Sequence, residues 1–245
     1  MKIAVAGGTG LTGRHVVAAL RERGHDPVPL SRATGADLVR GTGLDRALAG
    51  ADAVIDVSNV TTMSRKVSTG FFGAAGRNLL AAAGQAGVGH LLTLSIVGVD
   101  RVRTPYYAGK IRQEELVRGG PVPWTILRAT QFHEFAGQIL AGVPGPVAVV
   151  PAMRTQPVAV REVAAHLAGL IAEPPQGMAP ELAGPREESL VSMCRRLIAA
   201  GGARRRPVLP LPFPGAGLLP TGPGPRGVQT FEEWLPQGRY CSAIS

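Results

Sequence analysis

A short run near the start of the chain, Gly7-Gly8-Thr9-Gly10-Leu11-Thr12-Gly13, carries its first recognisable chemistry. A pyrophosphate seeks free N–H groups and the positive dipole end of a helix. Glycine lets a backbone approach such an anion closely and take φ > 0 without a Cβ penalty. The spacing Gly7-x-x-Gly10-x-x-Gly13 suits that task, although it differs from the G-x-G-x-x-G of ordinary dinucleotide dehydrogenases.

Two elements must hold this turn in place. Ile3 and Val5, with the alanines around them, form an apolar run too short for a helix and read as a strand. Gly13, Val16, Val17 and Leu20 then follow at i, i+3, i+4 and i+7, the spacing of a helix face. Strand, glycine turn and helix together open a nucleotide-binding βαβ unit.

The run GGTGLTGRHVV resembles the cofactor loop of the short-chain dehydrogenase/reductase superfamily, in its atypical, NmrA-like NAD(P)-binding branch. The likeness is clear from residue 1 to about 172 and fainter beyond. It implies an α/β chain with a Rossmann doubly wound parallel sheet and a small C-terminal substrate-capping region. The expected division is a NAD(P)-binding core over 1–130 and a mixed α/β, proline-rich region over 131–245 packed on it.

Further cofactor contacts follow from the fold. Ser31-Arg32 ends the second strand, His25 to Leu30, which its prolines are expected to distort. An acidic residue there would hold the ribose 2′-hydroxyl of NAD, whereas Arg32 suits the 2′-phosphate of NADP(H), so NAD(H) is the lesser expectation. Ala36 to Val39 reads as a third strand, and the resemblance sets Asp37 near the adenine amino group. AVIDV at 53–57 is a buried strand, with Ser58 and Asn59 at its carboxyl end, where open α/β sheets bind ligands. Asn59 either touches the cofactor or caps the next segment.

The resemblance also supplies a catalytic set. Tyr106-Tyr107-Ala108-Gly109-Lys110 fits the superfamily's Y-x-x-x-K, and Ser95 ends a strand where that family keeps its serine. Residues at i and i+4 share a helix face. Tyr106 and Lys110 are thus expected to face the cleft together. A free phenol has a pKa near 10, and a neighbouring ammonium is expected to lower it. Lys110 would also hold the nicotinamide ribose, while Tyr107 stands as the alternative phenol or a substrate contact. Phe132, His133 and Phe135 follow the strand Trp124 to Arg128 and are expected to line the substrate site, His133 in a half-buried setting.

Helices are expected over Leu44–Ala49, Phe71–Ala86, Arg161–Ala172, Glu187–Ala200 and Phe231–Leu235, with short strands at PVAVVP and QPVAV. Pro207 to Gly227 looks too rich in proline and glycine for regular structure, a lid or pocket wall, and the tail after Gly238 looks loose. At 245 residues and 45% hydrophobic, the chain can bury a core. With a strand expected from Lys2, no signal peptide is expected; apolar runs are too short for a membrane span, and Cys194 and Cys241 make no disulfide framework. A cytoplasmic setting and no metal are expected. The formal charge of +9 has one basic cluster, Arg204-Arg205-Arg206, without interleaved aromatics, so no nucleic-acid partner is expected. The implied function is an NADP(H)-dependent oxidoreductase acting on a small apolar molecule. The alternative is a redox sensor that binds the cofactor without turnover and signals to a protein partner.

Overall fold

The computed structural model describes residues 1–213 and 218–235. In chain order the elements are β1 (Lys2–Ala6), α1 (Leu11–Glu22), β2 (Asp26–Leu30), α2 (Leu44–Leu48), β3 (Ala53–Asp56) and α3 (Arg65–Gln85). Next come β4 (His90–Ile96), α4 (Pro105–Arg118), β5 (Trp124–Ala129), α5 (Phe135–Gly142), β6 (Ala148–Ala152) and β7 (Arg154–Thr155). The chain ends with α6 (Val160–Leu170), β8 (Gly177–Met178), β9 (Glu188–Ser189), α7 (Leu190–Ala199), β10 (Val208–Pro212) and α8 (Phe231–Trp234). The described residues fall into two compact units, 1–128 with 160–180 and 129–159 with 181–235. The chain therefore crosses between units three times, where one boundary near residue 130 was expected.

The first unit is a Rossmann fold built on a parallel sheet in the order β2-β1-β3-β4-β5-β8. Its central strands are buried on both faces, which is why β3 reads AVID and β4 reads HLLTLSI with little alternation. Helices α3 and α4 pack together, and α6 packs on α1. After β1 the chain steps to β2 on one side and returns to β3 on the other. That reversal makes the carboxyl ends of β1 and β3 the topological switch point.

β2 is regular, contrary to the distortion expected from Pro27 and Pro29. It is an edge strand, and Asp26 N–H donates to Met1 O, so alternate residues face β1. The two prolines then point their missing donors at the open edge, where none is needed. The same prolines forbid a further strand there. Ala36 to Val39 is correspondingly not a strand but a turn, with Asp37 bridged only to Thr42. Gly35, Gly41 and Gly43 curl it by taking positive φ.

In the second unit β6 pairs in parallel with β10, and β7 pairs antiparallel with β9. β10 corrects the expectation of no regular structure after Pro207: the pair has open outer edges that tolerate Pro210 and Pro212. Residues 214–217 of that stretch, and the tail after Gly238 with Cys241, lie outside the described residues. QPVAV is not a strand either. Val158 only bridges Phe132, and α6 begins two residues later. α3 starts at Arg65 rather than Phe71, because Ser64 Oγ accepts from Val67 N–H as an N-cap. Arg206, from the basic cluster, donates to Leu140 O and Val143 O and so caps the end of α5.

The tightest approach in the first unit is between α1 and the glycine turn. A Cβ on Gly13 would lie 2.1 Å from Gly7 O and 2.6 Å from Gly8 Cα. Gly13→Ala should therefore destabilise the protein by about 1–3 kcal/mol, as overpacking does. At this chain length that lowers Tm by roughly 3–10 °C in a thermal melt. An unchanged Tm would mean that α1 is free to shift away from the turn.

Candidate functional site

The site is assembled at the carboxyl ends of β1 and β3. Gly7 takes φ 77° and its N–H donates to Leu30 O, tying the turn to β2. Side chains are excluded from the turn. A Cβ on Gly7 would meet Ser58 Cα at 2.9 Å, and one on Gly8 would meet Pro29 Cβ at 2.7 Å. Gly10 caps α1 without a side chain. The N–H groups of Leu11, Thr12 and Gly13 consequently have no acceptor among the described residues, and no acidic residue stands in that first turn. Thr9 is exposed beside them. This is a cradle a phosphate fits.

Arg32 is exposed in the turn that follows β2, and its guanidinium makes no hydrogen bond or ion pair among the described residues. Ser31 is spent locally, its N–H donating to Thr34 Oγ1 at 2.9 Å. Asp37 is spent locally as well. Its Oδ1 accepts from the N–H groups of Val39 and Arg40, and the Arg40 N–H foremost holds its carboxyl below the usual range. Ser58 is buried, and its Oγ has no partner, an orphaned hydroxyl on the floor beside Gly7. The turn and this hydroxyl together fit the pyrophosphate of a nicotinamide dinucleotide.

α4 brings the second group. Thr104 caps it, accepting from Tyr107 N–H, with Pro105 in its first turn, so Tyr106 and Tyr107 stand at the helix entrance. Gly109 lets α4 lie on α3, since a Cβ there would fall 2.2 Å from Ser68 Oγ. Ser68 Oγ donates to Tyr106 O at 2.7 Å, and the Tyr106 ring meets Phe72 edge-on at 5.9 Å. The Tyr106 hydroxyl donates to Asn59 Oδ1 at 2.6 Å.

Ser95, Tyr106 and Lys110 are not hydrogen-bonded to one another. Ser95 is buried and donates to Glu114 Oε1 at 2.5 Å. Lys110 Nζ lies under Phe72, 4.9 Å from its ring centre, and donates to Leu94 O and Gln113 Oε1. The expectation that Lys110 would lower the Tyr106 pKa therefore needs correcting. Burial, with Tyr107 second, pushes that phenol well above its ordinary value, because the ammonium is turned away onto the strand.

The sequence reading missed the partners of these groups. Gln113 Nε2 donates to Asp56 Oδ2 at 2.7 Å, and Arg128 grips both oxygens of Glu114 while also reaching Asp100. A signal was present. Lys110, Gln113, Glu114 and Val117 fall at i, i+3, i+4 and i+7, so polar residues occupy the face a helix buries. In the second unit, His133 is fully buried rather than half-buried. Its Nε2 lies 3.1 Å from Gln229 O, and its ring packs against Phe231 and Trp234. Phe132 and Phe135 are half-buried there, joined by Phe135 N–H to Phe132 O. Among the described residues no His, Cys, Asp or Glu cluster suits a metal, and no helix is long and apolar enough to cross a membrane.

Burial pushes the Lys110 pKa down to about 8, against the pull of Asp56 and Glu114. In the unfolded chain it is near 10.4. The folded state therefore disfavours the ammonium, and the penalty is full below pH ~8 and vanishes as pH rises past ~10.4. Stability should rise by about 3 kcal/mol across that window. In Lys110→Met the rise should be absent. Urea unfolding near pH 7 and near pH 10 checks it, and equal slopes in both proteins would refute it.

Residues 7–174 match the NAD(P)H-binding family. No curated protein matches the chain. Solved structures do. A short-chain dehydrogenase/reductase superfamily protein from Agrobacterium tumefaciens with bound NAD superposes with a TM-score of 0.69 at 20% identity, covering 97% of this chain and 95% of that one. UDP-glucose 4-epimerase from Thermus thermophilus, in complex with NAD, gives 0.67 at 20% identity over 97% and 93%. dTDP-glucose 4,6-dehydratase from Streptomyces venezuelae, with NAD bound, gives 0.69 at 18% over 100% and 93%. At these identities the structures show the fold. Family match, sheet order and glycine cradle agree: the chain belongs to the NAD(P)H-binding family.

Proposed function

We propose that the chain is an NADP(H)-dependent oxidoreductase that reduces a carbonyl, quinone or activated double bond of a small apolar molecule. One observation carries the reading. The Tyr106 hydroxyl is 2.6 Å from Asn59, the neighbour of Ser58, against whose backbone the Gly7 turn lies. A phenol thus shares the rim of the phosphate cradle. The bound cofactor supplies the hydride.

The chain's own groups have separate tasks in this reading. The first-turn N–H groups of α1 hold the pyrophosphate, and Arg32 takes the 2′-phosphate as a charge-assisted fork. Tyr106, a phenol protonated at neutral pH, gives its proton to the substrate oxygen. Lys110 and Ser95 act from behind, fixing α4 to β4 through Leu94 O and Glu114. That inward commitment also favours the second reading, a sensor that binds NADP(H) without turnover, because two of the three signature side chains hydrogen-bond to the protein behind the cleft.

The first expected outcome concerns Arg32. A hydrogen bond between charged groups contributes roughly 1.5–3 kcal/mol, so Arg32→Ala should weaken NADPH binding about ten- to a hundred-fold. NADH binding should barely move. Equal affinity for the two cofactors in the unaltered protein would leave Arg32 a surface residue.

The second separates enzyme from sensor. NADPH oxidation is followed with a panel of aldehydes, ketones and quinones. Tyr106→Phe should lower kcat ~10²–10⁴-fold, the share of general acid catalysis, with NADPH affinity unchanged. Tight NADPH binding without turnover of any substrate would select the sensor.

A further inference from the structure

We propose that Asn59 is the positioning residue of the Tyr106 phenol, the part that the serine and lysine of the signature do not play in this chain. The inference rests on the oxidoreductase reading. Asn59 stands exposed in the segment after β3, and its Oδ1 is the only hydrogen-bond partner of the Tyr106 hydroxyl among the described residues. Phe72 and Ser68 fix the ring and backbone of Tyr106, but neither reaches its hydroxyl. Asn59 alone decides where that proton points.

The other candidates are committed elsewhere. Ser95 has one hydroxyl proton, and it goes to Glu114, whose other partners are Arg118 and Arg128. Lys110 spends two of its three donors on Leu94 O and Gln113 Oε1 and lies over the Phe72 ring. Around the phenol, α4 supplies the titratable Tyr107 and Lys110, whereas the α3 groups against it, Ser68 and Phe72, carry no charge.

An amide suits both ends of a proton transfer. Its carbonyl accepts the phenol O–H at rest, and its NH2 is a donor on the same side chain. When the tyrosine O–H bond breaks and the proton passes to the substrate oxygen, the electron pair stays on the phenolate. Rotation of the Asn59 amide then aims an N–H at that oxygen, a charge-assisted bond stronger than the resting one. Water returns the proton. Asn59 thereby favours the phenolate over what an apolar neighbour would allow.

Asn59→Leu and Asn59→Asp test this, the first removing donor and acceptor, the second keeping an acceptor and adding a negative charge. Protein carrying fluorinated tyrosine brings the phenols into an accessible range, and the residue 106 ¹⁹F resonance is assigned by its loss in Tyr106→Phe. The midpoint should rise by roughly half to one pH unit in the leucine variant and further in the aspartate variant. With an accepted substrate, kcat should fall about three- to ten-fold in the leucine variant while the NADPH Kd stays within about twofold. Identical midpoints in all three proteins would overturn the proposal, as would a weakened NADPH Kd with an unmoved midpoint, which would make Asn59 a cofactor contact. If no substrate turns over, the oxidoreductase reading fails. The ordering of the midpoints still decides the role of Asn59.

Discussion

The structure depends on one close approach, the first turn of α1 seated directly on the glycine turn. Gly13 has no Cβ, and any Cβ there would overlap Gly7 O. That contact aims the free N–H groups of Leu11, Thr12 and Gly13 across the carboxyl end of the sheet. It also ties three strands together at one point. Gly7 donates to Leu30 O at the end of β2 and lies against Ser58 just past β3. A helix displaced outward by a methyl group would lose the aim of its dipole as well as its packing.

Much of this was legible in the sequence because backbone constraints write themselves in residue types. Glycines at 7, 10 and 13, an apolar run before them and an i, i+3, i+4, i+7 face after them leave few alternatives. β3 and β4 were legible for a similar reason, since strands buried on both faces read as continuous apolar runs. The false third strand shows the opposite case. Ala36 to Val39 has strand-like composition, but composition is silent about which edge can accept a partner. Pro27 and Pro29 had settled that on β2, and a proline read only as a local distortion hides its effect on the neighbouring strand. β10 repeats the lesson in reverse, with prolines admitted where the outer edge is open.

The site was legible in part. Spacing gives which Cβ atoms share a helix face, so Tyr106 and Lys110 were rightly placed on α4 one turn apart. Spacing says nothing about where four methylenes carry an ammonium. Lys110 reaches Leu94 O, a strand-end carbonyl, and Gln113, its own helix neighbour, and both are contacts that sequence alone does not rank. The commitment of Ser95 to Glu114 is hidden in the same way, because Glu114 lies nineteen residues away on another element.

Those partners explain why a buried helix face can be polar. Asp56 and Glu114 balance Lys110 and Arg128, and every member of the set has a hydrogen-bonded neighbour. Replacing such a set wholesale with apolar groups is often neutral or stabilising, whereas removing one member strands its partner at a cost of about 3–5 kcal/mol. Stability by itself therefore does not account for it. Directional bonds do what apolar packing cannot: they fix the orientation of α4 on the ends of β3, β4 and β5, through Asp56, Leu94 O and Arg128. The same helix presents Tyr106 to Asn59 at its first turn. Lys110 and Ser95 thus set the phenol's position through the helix that carries it, and Asn59 sets the direction of its proton.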